Sequence, residues 1–299
     1  MLLHRVKYNI FSKGVQVPLA LYMKLWVIDH TGKMGVKMED FKVYLCVSPA
    51  ETTQASQEGF PLCHMAYRIG KDFRLYRSGV GVNVRKGIML LSNFGLECTE
   101  IYSSILLHDI KRECDLRGYS GILCDFEKSA DERLIRFLYE AENMFPDLGI
   151  DLYVPATYAD HAPKSHVLIS SAVTAGSFVE SMSNAIERYP SQRIALYYDP
   201  ICVDIVIPSP SGERTTITRS KLVELIREYR PLSYYSHELC SYYFTYRDNA
   251  NSSHFVLYDD ERSMVRKLET ARRVGIKQAF ILYEDVRQYI EKLKSFQSN

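Results

Sequence analysis

The chain has little of several things that would name a function at once. It carries one tryptophan, Trp26, in 299 residues. Its seven cysteines (Cys46, Cys63, Cys98, Cys114, Cys124, Cys202 and Cys240) form no C-x-x-C pair, and several lie inside apolar runs. An odd, scattered set of this kind argues against a disulfide framework and a thiolate zinc site. It fits reduced, buried thiols from a reducing compartment. Charge of one sign is not in excess, with 37 Lys+Arg against 36 Asp+Glu, so no global field draws nucleic acid or an anionic membrane. The most apolar early run, Val15 to Ile28, is broken by Pro18 and Lys24, and no segment is long and apolar enough to span a bilayer. The first residues lack a signal-peptide pattern. The expectation is a cytoplasmic protein with neither a nucleic-acid nor a membrane partner.

Other absences narrow the chemistry. No internal repeat, low-complexity tract or long linker interrupts the chain. No G-x-G-x-x-G or G-x-x-x-x-G-K-[ST] turn follows a strand, which counts against phosphate-cradling folds. The G-x-S-x-G elbow is missing. The eight histidines have no ligand spacing, so neither a metal nor a cofactor is expected.

What is present is a hydrophobic content of 46%, arranged as short apolar runs alternating with amphipathic helices. That rhythm is the mark of an α/β fold with a parallel sheet. Strands are expected over 41–47, 86–92, 121–127, 150–155, 166–170, 193–198 and 277–283. Helices are expected near 99–116, after a Ser129/Glu132 capping box, over 179–188, and from Asp260 to Val274. Between Ile201 and Asp260 the rhythm changes to strands, a helix over 219–229 and a hairpin turn at 247–253. The architecture predicted is a single (β/α)8 barrel over 1–299, with a small α+β subdomain inserted at 201–260 between strand 7 and helix 7. An open doubly wound sheet is the alternative.

The run Ser120-Gly-Ile-Leu-Cys-Asp-Phe-Glu127 stands out. Alternation along a strand puts Leu123, Asp125 and Glu127 on one face. Two carboxylates on an otherwise apolar strand are costly to bury unless used, although acids at strand ends also cap loops or pair with arginine. Further candidates sit at strand ends. Asn93 is a sugar contact or a turn residue. Tyr158 and Asp160 are mouth or loop residues. Tyr197 and Tyr198 end one strand so that one of them faces inward, as core packing or as a sugar contact, and Tyr198 is the candidate for the contact. Glu284 and Asp285 are a second acidic feature or a helix cap. Abundant tyrosine, 22 residues, suits a sugar-lined cleft or ordinary packing.

The segment Gly118 to Glu127 resembles the fourth-strand signature, D-G-x-D-x-D-x-E, of family 18 glycoside hydrolases, the chitinase-like barrels. It is most similar to their bacterial spore-cortex and peptidoglycan hydrolase branch. Met89–Phe94, Val154–Ala156, Tyr243–Asp248 and His254–Met264 extend the likeness over roughly residues 86 to 286. The resemblance implies hydrolysis of an N-acetylglucosamine-containing glycan by a substrate-assisted, retaining route. Glu127 would be acid and then base, and Asp125 would orient the substrate acetamide. Tyr283 stands where the family has a pocket-floor tryptophan. A glycan partner and an association with the spore or the sporulating cell follow from the same likeness. The chain departs from the pattern at Ser120, at Leu123, and over Leu168–Thr174, where the sixth-strand Tyr and Asp are missing. These departures are the motive for an alternative, an inactive carbohydrate-binding barrel.

Overall fold

A computed structural model of the chain describes residues 41–78, 85–96, 103–126, 131–208 and 214–298, with a short strand pair at Val27–Ile28 and Met34–Gly35. The chain divides into two compact units, Met1–Asp40 and Phe41–Asn299. The second contains eight parallel strands: β1 (Lys42–Val47), β2 (Leu62–Ile69), β3 (Ile88–Ser92), β4 (Gly121–Asp125), β5 (Asp151–Pro155), β6 (His166–Ser170), β7 (Ile194–Tyr198) and β8 (Gln278–Leu282). Neighbours pair in order, β8 pairs with β1, and β1 pairs with β2, so the sheet closes into a (β/α)8 barrel and not an open sheet.

Helix α1 (Ser103–Arg117) follows β3 and α2 (Glu132–Met144) follows β4. Helix α3 (Phe178–Arg188) leads into β7, and α4 (Arg219–Tyr229), α5 (Glu261–Arg273) and α6 (Ile290–Ser298) follow in chain order. Asp131, not Ser129, caps α2, its carboxylate accepting from Arg133 N at 2.9 Å; Ser129 lies outside the described residues. Asp260 caps α5, accepting from Ser263 N at 2.9 Å, as read from the sequence. Such caps satisfy amides that the first helical turn leaves without partners.

Seven barrel strands match runs expected from the sequence; β2 is the one that alternation conceals. Its pairing with β3 slips between His64 and Tyr67. Cys63 and His64 are therefore both buried, as are Ala66 and Tyr67, with exposed Met65 between them. A bulge destroys the period of two on which strand recognition depends.

The core has an inner and an outer layer. Inside the barrel lie Tyr44, Cys46, Cys63, Ile88, Leu90, Leu123, Tyr153, Ala195 and Phe280. Outside, one cluster packs β1, β7 and β8 under α3, α5 and α6, and another packs β2 to β5 under α1 and α2. Gly121 opens β4 where a Cβ would stand 2.7 Å from Ile88 Cδ1 and 3.1 Å from the Asp151 carbonyl. Gly121→Val should overpack this level of the barrel and cost about 1–3 kcal/mol, read as a lower urea midpoint with unchanged slope.

His64 is a buried neutral imidazole. Its Nε2 lies 3.2 Å from the Lys86 carbonyl, and its Nδ1 makes no hydrogen bond among the described residues. Burial pushes its pKa down to about 4; Arg77 and Arg117 push the same way, and the bond to Lys86 opposes them. The unfolded imidazole titrates near about 6.5, so the unfolded chain binds the extra proton first. The contribution of neutral His64 is therefore intact above about pH 6.5 and is lost as pH falls toward 4, by at most about 3 kcal/mol. His64→Gln should flatten that part of the stability–pH curve relative to wild type in denaturant titrations between pH 7 and 4. Parallel curves would show that His64 does not titrate between the folded and unfolded states.

The insertion between β7 and α5 is a sheet of five strands. Cys202–Ile207, Ser253–Tyr258, Ser241–Arg247 and Tyr234–Ser236 run antiparallel in that order, with Thr215–Thr216 at the other edge. One face packs on α4 through Leu222, Leu225, Phe244 and Val256. The other carries Val203, Ile205, Tyr243, Phe255 and Leu257 and packs on Ile201 and Ala172, the latter just past β6. Its root is tied by Asp259, which accepts from Ile201 N (3.0 Å), Ser241 Oγ (2.7 Å) and Lys267 Nζ (2.6 Å).

Candidate active site

In parallel barrels, chemistry gathers at the C-terminal ends of the strands. Register and packing show which side chains reach that end from inside. Leu123 lies in the inner core, and Asp125, two residues on, ends β4 and is exposed. Ser92 is its paired neighbour on β3. Across the mouth, Ala195 and Tyr197 of β7 face inward, with Ser170 of β6 paired beside Tyr197. Asp199 follows Tyr197 by two positions and accepts from Ser170 Oγ at 3.4 Å. Ser171 Oγ donates to the Asp199 carbonyl and accepts from its amide, at 3.3 and 3.0 Å, so the ends of β6 and β7 are stitched together.

Beneath Asp125 the floor is apolar. Leu123 and Leu90 pair there, both buried. Cys46 and Cys63, also paired and buried, complete that side. Burial pushes the Cys63 thiol well above its usual range, with Cys46 and then Asp125 adding to the effect, so both of its neighbours favour the uncharged thiol. On the far side, burial raises the Asp285 carboxyl, Glu284 and Asp199 add to this, and Arg219 opposes it.

The sequence candidates separate into two groups. Asp125 stands at the mouth, and Asn93 begins the turn after β3, where its carbonyl accepts from Leu96 N at 3.0 Å. The three tyrosines lie in the outer layer, between strands and helices. Tyr158 is fully buried, its ring 5.7 Å from Phe126 and its hydroxyl accepting from Asp131 N at 3.2 Å. Tyr198 is buried in the outer cluster, because alternation turns it away from the barrel axis that Tyr197 faces. Tyr283 is buried there too and donates to Glu58 Oε1 at 3.3 Å. Glu127 lies outside the described residues.

Tyr197, Asp199, Ser170 and Ser92 also stand at the mouth. Strand β7 reads Ile-Ala-Leu-Tyr-Tyr, apolar on both faces, which hides its parity. Among the described residues no three His, Cys, Asp or Glu side chains are grouped to hold a metal ion, and no helix is long and apolar enough to cross a membrane.

The closed (β/α)8 barrel is a fold this chain shares with known proteins. No family model matches the chain. YdhD of Bacillus subtilis, named as a sporulation-specific glycosylase, is 26% identical over 198 residues, covering 56% of this chain and 47% of that protein. The chain thus spans about half the length of the curated relative it matches. The fold is shared with the spore cortex-lytic enzyme SleL of Bacillus megaterium, at a TM-score of 0.59 and 16% identity over 87% of this chain and 75% of that one. It is also shared with a chitinase of Chromobacterium violaceum, at a TM-score of 0.64 and 16% identity over 87% of this chain and 99% of that one.

Proposed function

We propose that the chain is a glycoside hydrolase acting on an N-acetylglucosamine-containing glycan of the peptidoglycan or chitin kind. The observation that carries this reading is Asp125, delivered by β4 to the open mouth of a chitinase-like barrel, with Glu127 two residues further on. In this reading Glu127 protonates the leaving glycosidic oxygen. The substrate's acetamido carbonyl attacks the anomeric carbon from the opposite side, and Asp125 orients the acetamide and balances the positive charge of the cyclic intermediate. Water activated by the carboxylate of Glu127 then opens that intermediate with net retention. The names of YdhD and SleL support a spore-cortex substrate and a place in the sporulating cell. The row Tyr234, Tyr243, Phe255 on the insertion, with ring centroids 5.7 and 5.2 Å apart, supports sugar stacking.

A second reading is a barrel that binds glycan without cleaving it. Buried Leu123 below Asp125, and Ser170 to Ala172 at the end of β6, favour it because neither offers the carboxylate or hydroxyl ring expected there. Purified protein assayed on spore and vegetative peptidoglycan and on chitooligosaccharides separates the two. New reducing ends, lost in Glu127→Gln, support hydrolysis. Binding without reducing ends supports the second reading.

A further inference from the structure

We infer that Cys46 and Cys63 form a two-thiolate site for a soft, thiophilic divalent cation in the inner wall of the barrel. Such a site is separate from glycan cleavage and stands whether or not the barrel hydrolyses a sugar. Three observations carry it.

The first is register. Cys46 of β1 and Cys63 of β2 are paired neighbours on adjacent parallel strands. Both belong to the inner core, so their sulfurs point toward the barrel axis side by side. Neighbouring strands lie about 4.7–4.9 Å apart. A cation midway between two such sulfurs stands about 2.4 Å from each, close to the length of a metal–thiolate bond, about 2.3 Å. A disulfide fits the same spacing less well, because it needs Cβ atoms about 3.8 Å apart. Cys124 and Cys202, the other described cysteines on strands, pair with Leu91 and Tyr258 and have no thiol opposite them.

The second is the ligand count. The side chains packed around the two thiols are Tyr44, Ile88, Leu90, Leu123 and Phe280. Among the described residues no three His, Cys, Asp or Glu are grouped to hold an ion, so no third protein ligand joins the sulfurs. Zinc wants four ligands, and calcium and magnesium want oxygen. Two thiolates in an apolar wall suit a soft ion that takes two ligands in line.

The third is charge. Burial keeps the proton on Cys63, and its neighbours Cys46 and Asp125 add to the effect. Neither neighbour is a cation, so nothing there stabilises a free thiolate. A divalent ion M²⁺ resolves this. It forms two M–S bonds, the two S–H bonds break, and two protons leave to solvent with no change of oxidation state. The product Sγ–M–Sγ is neutral. A monovalent ion would leave a net negative charge in an apolar wall already within reach of Asp125, which is costly. The chemistry therefore points to an ion of the mercuric kind, and Hg²⁺ itself is the probe.

The test loads the full chain with mercuric chloride and dialyses it against excess glutathione. Native mass spectrometry should then find one Hg²⁺ kept per chain, because two thiols on one scaffold hold the ion about 10²- to 10⁴-fold better than a single thiol. Cys46→Ser and Cys63→Ser should each lose it, and Cys124→Ser should keep it. X-ray absorption at the mercury edge of the loaded wild type, which needs no variant, should show two sulfur neighbours. Zn²⁺ carried through the same dialysis should not be kept. Loss of Hg²⁺ from wild type, its retention by Cys46→Ser or Cys63→Ser, a third sulfur neighbour, or retained zinc would each overturn the assignment.

Discussion

Lys267→Met should cost about 3–5 kcal/mol of unfolding free energy, the range for removing one partner of a buried ion pair. Both side chains of the Lys267–Asp259 pair are fully buried, with Nζ 2.6 Å from Oδ2. The same carboxylate takes the Ile201 amide where the insertion begins and Ser241 Oγ inside it, and the Asp259 carbonyl accepts from Arg219 at 2.8 Å. One carboxylate therefore ties the entry, middle and exit of the insertion to α5. Methionine fills the space of the lysine stem but leaves Asp259 charged and buried, without its countercharge. The comparison to make is Lys267→Met against Lys267→Met with Asp259→Asn in urea titration. The double variant should recover part of the loss, because the amide still accepts from Ile201 N and carries no charge. A single variant within about 1 kcal/mol of wild type would mean that water reaches Asp259.

On the function proposed above, Glu127→Gln should lower the rate of glycan cleavage about 10²- to 10⁴-fold, the usual contribution of a positioned general acid. The amide is nearly isosteric, so binding of the oligosaccharide should change little and the loss should fall on kcat. Asp125→Asn should be milder, because a side-chain amide at that position can still orient the acetamide but no longer balances the positive intermediate. A Glu127→Gln enzyme with wild-type kcat removes Glu127 from the proton transfer and makes the acids across the mouth, Asp199 and Asp285, the residues to substitute next.

The place of the first acid was legible from sequence because polarity breaks the pattern there. Asp125 is a charge in an apolar strand, so alternation alone assigns it a face, and the structure puts it at the mouth. The tyrosines carried no such mark. Tyr197 and Tyr198 are adjacent, equally aromatic, and sit in a strand buried on both faces, so the residues do not reveal which one points to the axis. Position after a strand suggests Tyr158 for the mouth, and the family likeness suggests Tyr283, but the outer layer uses both as filling, with one hydrogen bond each named above.

Sequence by itself determined the alternation of strand and helix, the Asp260 cap and the acid at the end of β4. These are local matters, set by period, turn chemistry and a charge out of place. Tertiary structure decided the closure of the barrel through bulged β2, the inward turn of Tyr197, and the meeting of Ser170, Asp199 and Asp125 around one opening. Those depend on how eight strands register between Lys42 and Leu282, and in a sheet covered on both sides hydrophobicity carries no record of that register.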